Sequence, residues 1–158
     1  MKKKKIILIC SDGGHLAQIM ELKEWFVKYD YLLVTEKATS TLFYQNDFNI
    51  KYLRGRTKGK NRSIGFFVNI IINFFLTLKI LLTHFPKAII TTGSHTAVPM
   101  CILGKVLGSK IIWILSFARI SSRAFSADLI YPIADKFIIQ WPGPKKFYKK
   151  AIYLGGIY

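Results

Sequence analysis

The chain has 158 residues, enough for one domain with a real core and too few for an enzyme that needs two. Hydrophobic residues make up 51% and charged residues 20%, which excludes a disordered chain. Lysine and arginine number 24 against 8 acids, a formal net charge of +16, so a polyanionic neighbour is expected: nucleic acid, an anionic bilayer or the phosphates of a substrate.

In chain order, Met1 to Lys5 and the apolar run behind them superficially resemble a signal peptide. The run is too short, and Ser11-Asp12-Gly13-Gly14-His15 interrupts it at once, so a first strand of a cytosolic protein is expected at 5–10. Further short strands are expected at 31–35, 50–54, 88–91, 110–115 and 136–140, each nearly continuous in apolar residues, as strands buried on both faces are. Helices are expected at 14–28, 63–83 and 96–107, with weaker candidates at 39–45 and 123–130. This alternation predicts a single α/β domain over 1–158, a Rossmann-like parallel sheet with helices on both faces. Cys10 and Cys101 sit in apolar runs without a CxxC or Cys/His spacing and read as buried, reduced thiols of the cytoplasm.

The loop Ser11-Asp12-Gly13-Gly14-His15 follows the first strand and opens the first helix. Ligands of doubly wound folds bind at such strand ends, glycines admit a phosphate close to the backbone, and a helix N-terminus favours negative charge. Ser11, Gly13 and Gly14 are therefore candidate phosphate contacts, and His15 a candidate general base or phosphate donor. The bland alternative is a tight turn with Ser11 or Asp12 as a cap. A second glycine turn, Thr92-Gly93-Ser94-His95-Thr96, repeats the pattern after a later strand and places Gly93 and Ser94 beside the first loop, unless Ser94 or Thr96 merely caps the helix. Arg119, just past a strand end, either holds a phosphate or pairs with Asp135. No nucleotide fingerprint and no metal-ligand cluster occurs, so neither cofactor nor metal is expected.

The helix over 63–83 is almost wholly apolar, and Asn69, Asn73 and Thr77 form one narrow polar stripe. The remaining apolar arc, with Phe66, Phe67, Phe74 and Phe75, is wider than packing on one sheet face needs. With Arg54, Arg56, Lys58, Lys60 and Arg62 before it, contact with an anionic membrane surface is expected; a fully buried helix and a membrane span are the alternatives. The segment 151–158, ending Leu154-Gly155-Gly156-Ile157-Tyr158, reads either as frayed or as a docking tail for a partner.

These segments together with Ser116-Phe117-Ala118-Arg119, Tyr131-Pro132-Ile133-Ala134-Asp135 and Gln140-Trp141-Pro142 resemble the bacterial capsular and exopolysaccharide relatives of asparagine-linked glycosylation protein fourteen, across essentially the whole chain. That family is similar to the N-terminal half of a MurG-like GT-B glycosyltransferase and pairs with a separate subunit that holds a UDP-sugar. The resemblance implies a polyprenyl-diphosphate-linked sugar acceptor at the cytoplasmic membrane face. It also implies a diphosphate site of Gly13, Gly14 and His15 near Gly93 and Arg119, partner contact through the tail, and little activity alone. Leu115 stands where relatives usually carry a glutamate, so the role of that acid is unfilled or passes to His15. The rival readings are an RNA-binding module, a self-sufficient small glycosyltransferase and a membrane scaffold. No ribonucleoprotein motif or aromatic-studded basic strand occurs, so nucleic acid is not expected as a partner.

Overall fold

A computed structural model describes residues 3–55 and 62–158. Seven strands, β1 (Lys5–Ile9), β2 (Asp30–Glu36), β3 (Ile50–Leu53), β4 (Ala88–Thr91), β5 (Lys110–Ile114), β6 (Lys136–Ile139) and β7 (Ile152–Tyr153), form one sheet in the order β3-β2-β1-β4-β5-β6-β7. Every neighbouring pair is parallel. The order reverses between β1 and β4, which is where a doubly wound sheet opens a crevice at its carboxyl edge.

The alternation of side chains along β1 shows why both faces need cover. Ile7 and Ile9 enter one core with Leu81, Met100, Cys101 and Ile130. Ile6, Leu8 and Cys10 enter the other with Leu16, Ile19 and Phe26. Helices α4 (Arg62–His84), α5 (Ala97–Val106) and α6 (Phe125–Ile130) supply the first core, and α1 (Gly14–Met20) and α2 (Lys23–Phe26) supply the second. The short α3 (Thr39–Leu42) links β2 to β3. The helix expected over 14–28 is thus two: Leu22 N–H bonds back three residues to the Ile19 carbonyl at 3.0 Å, tightening the turn there. Cys10 and Cys101 are free and buried, and loss of hydration pushes both thiols up to about 12.

The polar stripe of α4 faces inward. Asn73 takes the Arg54 N–H (2.8 Å) and donates to the Arg54 carbonyl (2.9 Å), and Asn69 donates to the Gly55 carbonyl at 3.0 Å. The stripe therefore clamps the exit of β3, and the apolar arc is left outside: Ile70, Ile71, Phe74 and Phe75 are exposed. Arg54 is exposed too, whereas Arg56, Lys58 and Lys60 and the side chains of Arg62, Phe66 and Phe67 lie outside the described residues. Among the described residues no helix is long and apolar enough to cross a membrane.

The last residues pack on their own domain. Beyond the two-residue β7, Ile157 N–H donates to Gln140 Oε1 at 2.9 Å, and the Tyr158 ring meets Phe117 edge-on at 5.1 Å. Leu154 and Tyr158 stay exposed.

Candidate functional site

At the carboxyl edge of the sheet, over the switch between β1 and β4, lies an open cavity of about 550 Å³. Among the candidate residues, Ser11, His15, Gly93, Ser94 and Arg119 line it, together with Trp113, Ser116 and Phe125. Gly13 and Gly14 lead directly into His15. Gly13, with φ 70 and ψ −135, is the N-cap of α1, so neither Ser11 nor Asp12 caps it. That backbone shape is open to glycine and to little else. A Cβ built at Gly13 or at Gly14 meets nothing within 4 Å, so the backbone there is uncovered and open to a ligand.

Two hydrogen bonds stitch this loop to the end of β4. His15 Nδ1 lies 2.9 Å from the Thr92 carbonyl, and Thr92 Oγ1 donates to the His15 carbonyl at 2.8 Å. A carbonyl has no proton to give, so Nδ1 carries the hydrogen and Nε2 of the neutral ring keeps its lone pair. Burial, and less strongly the Arg119 charge, push the imidazole below its ordinary value, against the Thr92 hydrogen bond that favours protonation. A neutral ring with a free Nε2 suits proton acceptance near neutral pH.

Gly93 has φ 107, and a side chain there would meet His15 Cε1 at 3.3 Å and Trp113 Cζ2 at 3.4 Å. Its neighbour Ser94 adopts φ 101 without being glycine, a costly backbone state of the kind that gathers at binding sites. Ser94 Oγ and Trp113 Nε1 are buried with no hydrogen-bond partner among the described residues. Thr96 occupies the N-cap position of α5, but no side chain caps the helix by a hydrogen bond. The Thr96 hydroxyl instead donates to Glu36 Oε1.

Arg119 does not pair with Asp135. It is exposed at the cavity and bonds Ser122 Oγ at 3.4 Å, whereas Asp135 lies at the opposite end of the sheet, just ahead of β6, held by Lys105 and Lys110. The crossover through α6 carries the chain from the carboxyl end of β5, where Arg119 sits, to the amino end of β6, where Asp135 sits. Leu115 lines the cavity, so no carboxylate stands at that position. Sequence reasoning missed a different acid, Glu36. It is 5% exposed at the end of β2, and its Oε1 lies 3.8 Å from His95 Nε2. A buried acid ending an apolar strand was the available signal. Gln18 was missed as well, since nothing local marks an amide on the inner face of a helix. Trp141 Nε1 donates to the Phe117 carbonyl at 2.7 Å. Among the described residues no three His, Cys, Asp or Glu side chains gather as a metal site.

A parallel Rossmann-like sheet with its cavity over the switch point has the architecture of one half of a GT-B protein. The fold resembles that of Acinetobacter baumannii MurG, with TM-score 0.70 at 12% identity over 89% of this chain and 42% of that one. It also resembles UDP-GlcNAc 2-epimerase from Methanocaldococcus jannaschii, with TM-score 0.72 at 15% identity over 96% and 45%. At these identities the likeness establishes the fold alone, and this chain spans less than half of either structure. Residues 6–157 match the family described as "Oligosaccharide biosynthesis protein Alg14 like", and the chain belongs to that family. "UDP-N-acetylglucosamine transferase subunit ALG14" of Candida albicans is 30% identical over 181 residues, covering 98% of this chain and 81% of that protein. The human protein of the same name is 35% identical over 78 residues, covering 46% of this chain and 36% of that protein. These relatives are eukaryotic, so the matches carry no information on a capsular setting.

Proposed function

We propose that this chain is the acceptor-side half of a two-subunit glycosyltransferase. It receives a polyprenyl-diphosphate-linked sugar while a separate subunit presents a UDP-sugar. The observation that carries the reading is the placement of His15, Gly93 and Arg119 around one cavity at the switch point of a domain that spans under half of the complete GT-B structures it resembles. Sites of two-domain enzymes lie between the domains, so one half grips its ligand on one side only and turns over little alone.

In this reading the uncovered backbone of Gly13 and Gly14 and the Arg119 guanidinium hold the diphosphate. The free Nε2 of His15 accepts the proton of the attacking sugar hydroxyl as its oxygen bonds to the anomeric carbon of the donor and UDP departs. Glu36 stands behind His95 as the nearest substitute for the acid absent at position 115. The exposed arc of α4 supports peripheral binding to the cytoplasmic face of an anionic membrane. α4 runs antiparallel to the strands, so its N-terminal half shares the cavity's end of the sheet, within reach of a ligand whose tail lies in lipid. Leu154, Gly155, Gly156, Ile157 and Tyr158 are the proposed contact with the donor-binding subunit. Capsular or exopolysaccharide assembly is the proposed setting, and the names of the relatives make UDP-N-acetylglucosamine the first donor to try.

The test is sugar transfer to a polyprenyl-diphosphate-linked acceptor by this chain alone, by a donor-binding subunit encoded beside it, and by the two mixed. Transfer by the mixture alone is expected, and His15→Ala in a folded chain lowers it on the order of 10²-fold, the usual contribution of a positioned base. Full transfer by this chain without a partner overturns the half-enzyme reading.

A further inference from the structure

Two glutamines that share no motif meet beneath the cavity. Gln18, on α1, and Gln140, just past β6, are each 3% exposed, and they lie 122 positions apart in the chain. A buried primary amide has two N–H groups and a carbonyl to satisfy, and an unmet group inside a protein costs more than a met one returns. Here the backbone orients both amides. Phe117 N–H, at 2.9 Å, needs an oxygen, so Gln18 turns Oε1 to it. Gln18 Nε2 then donates to the Gly14 carbonyl at 3.1 Å and approaches Ser116 Oγ at 3.4 Å. Ile157 N–H, at 2.9 Å, orients Gln140 in the same way. Its Nε2 donates to Gln18 Oε1 at 2.8 Å and to the Leu115 carbonyl at 2.9 Å.

The bonds form one continuous path. It starts at the backbone of Ile157, crosses Gln140 and Gln18, and ends on two of the loops that line the cavity. One end is the carbonyl of Gly14, whose next residue is His15. The other is the turn Ser116–Phe117, which Arg119 N–H closes on the Ser116 carbonyl at 2.9 Å. Elsewhere the segment carrying Ile157 is held by its side chain packed on the second core and by the Tyr158 ring against Phe117, while Leu154 is 67% exposed.

We propose that Gln18 and Gln140 are positioning residues that hold His15 and Arg119 at a separation set by the chain's last residues, so that seating or lifting that segment changes how the cavity grips a diphosphate. The identity of the ligand rests on the acceptor reading above, whereas the coupling rests on the hydrogen bonds themselves.

The decisive comparison is Ile157→Pro, which deletes the N–H, against Ile157→Val, which keeps it. Amide hydrogen exchange of the full chain is expected to quicken at Phe117 by about fivefold or more in Ile157→Pro, since a partly freed amide opens more often. In Ile157→Val it stays at the wild-type rate, and amides of β2 such as Leu33 are unchanged in both. Gln140→Glu keeps the acceptor for Ile157 but loses both donors while ionised, and protonation returns one. Its excess exchange at Phe117 therefore shrinks as pH falls, which general loosening does not reproduce. In the two-subunit transfer assay Gln140→Glu raises the KM for acceptor several-fold and leaves the KM for UDP-sugar alone. Exchange at Phe117 that is the same in Ile157→Pro and wild type overturns the coupling. Quickened exchange at Phe117 in Ile157→Pro, with a wild-type protein that neither binds a polyprenyl diphosphate nor supports transfer, leaves the coupling standing and overturns the acceptor reading instead.

Discussion

The two ends of this one parallel sheet are built differently. At the amino end Asp135 accepts from Lys105 at 2.7 Å, from Lys110 at 3.1 Å and from the Ile111 N–H at 2.9 Å. Beside it Ser109 Oγ donates to the Pro86 carbonyl at 2.7 Å. At the carboxyl edge Ser94 Oγ finds no partner among the described residues, His15 engages one ring nitrogen in a hydrogen bond, and two successive residues hold positive φ. At the amino end Asp135 and Ser109 are fully engaged, whereas the carboxyl edge keeps Ser94 Oγ and one His15 nitrogen without a partner among the described residues. A parallel sheet makes this division natural, because all strand carboxyl ends, and the loops that follow them, fall on one edge.

Substitutions separate the two ends by what they change. The largest loss is expected from Gly93→Ala, where the forced φ and a Cβ 3.3 Å from His15 Cε1 act together. It should lower stability by about 1–3 kcal/mol and abolish acceptor binding, read by thermal unfolding and by acceptor titration. Asp135→Asn comes next. It should cost about 2 kcal/mol, the scale of hydrogen bonds to charged groups, while acceptor affinity stays at wild type; a change in affinity breaks the division between the ends.

The same carboxyl sets a pH dependence. Burial alone would raise its pKa, but the bonds from Lys105, Ile111 and Lys110 outweigh burial and hold it far below the usual range. Between that depressed value and the ordinary value of about 3.9, the unfolded chain binds a proton that the folded chain does not. The stability Asp135 contributes is therefore complete above about pH 4 and is lost as pH falls further. Denaturant unfolding at pH 7, 4 and 3 should show wild type weakening below pH 4 and Asp135→Asn weakening less.

Outside both ends, replacing exposed Phe75 with Ser should weaken binding to anionic vesicles about tenfold, the worth of one aromatic side chain at the low end of its burial energy. Cosedimentation reads this, and unchanged binding moves the membrane face away from α4. In the chain without acceptor, the smallest effect is expected from Arg119→Gln. Arg119 lowers the His15 pKa, so removing its charge should raise that pKa, visible in the His15 ring resonances across an NMR titration.

Much of this was legible before any coordinates. Apolar runs of four to seven residues announced strands β1 to β6, and glycine turns behind two of them announced where a cavity opens. The stripe of Asn69, Asn73 and Thr77 was readable as well, because helical spacing fixes which residues share a face, but that it turns inward came only from the tertiary structure. The break of the first helix near Leu22 was not, since no glycine or proline marks it. The partners of Asp135 were not legible, because the chain left Arg119 between a phosphate and Asp135, whereas β5 and β6 bring Lys110 alongside.

The sequence by itself thus determined the element types, the parallel sheet and the glycine loops, all of which follow from periodicity and turn chemistry within a dozen residues. The strand order decided the rest. It placed Glu36 against Thr96 across 60 positions, Gln18 against Gln140 across 122, and His15 against Thr92 across 77. No local pattern encodes such pairs. A polar group chooses its partner only when burial removes water as the alternative, and which groups are buried together is settled by how the strands assemble.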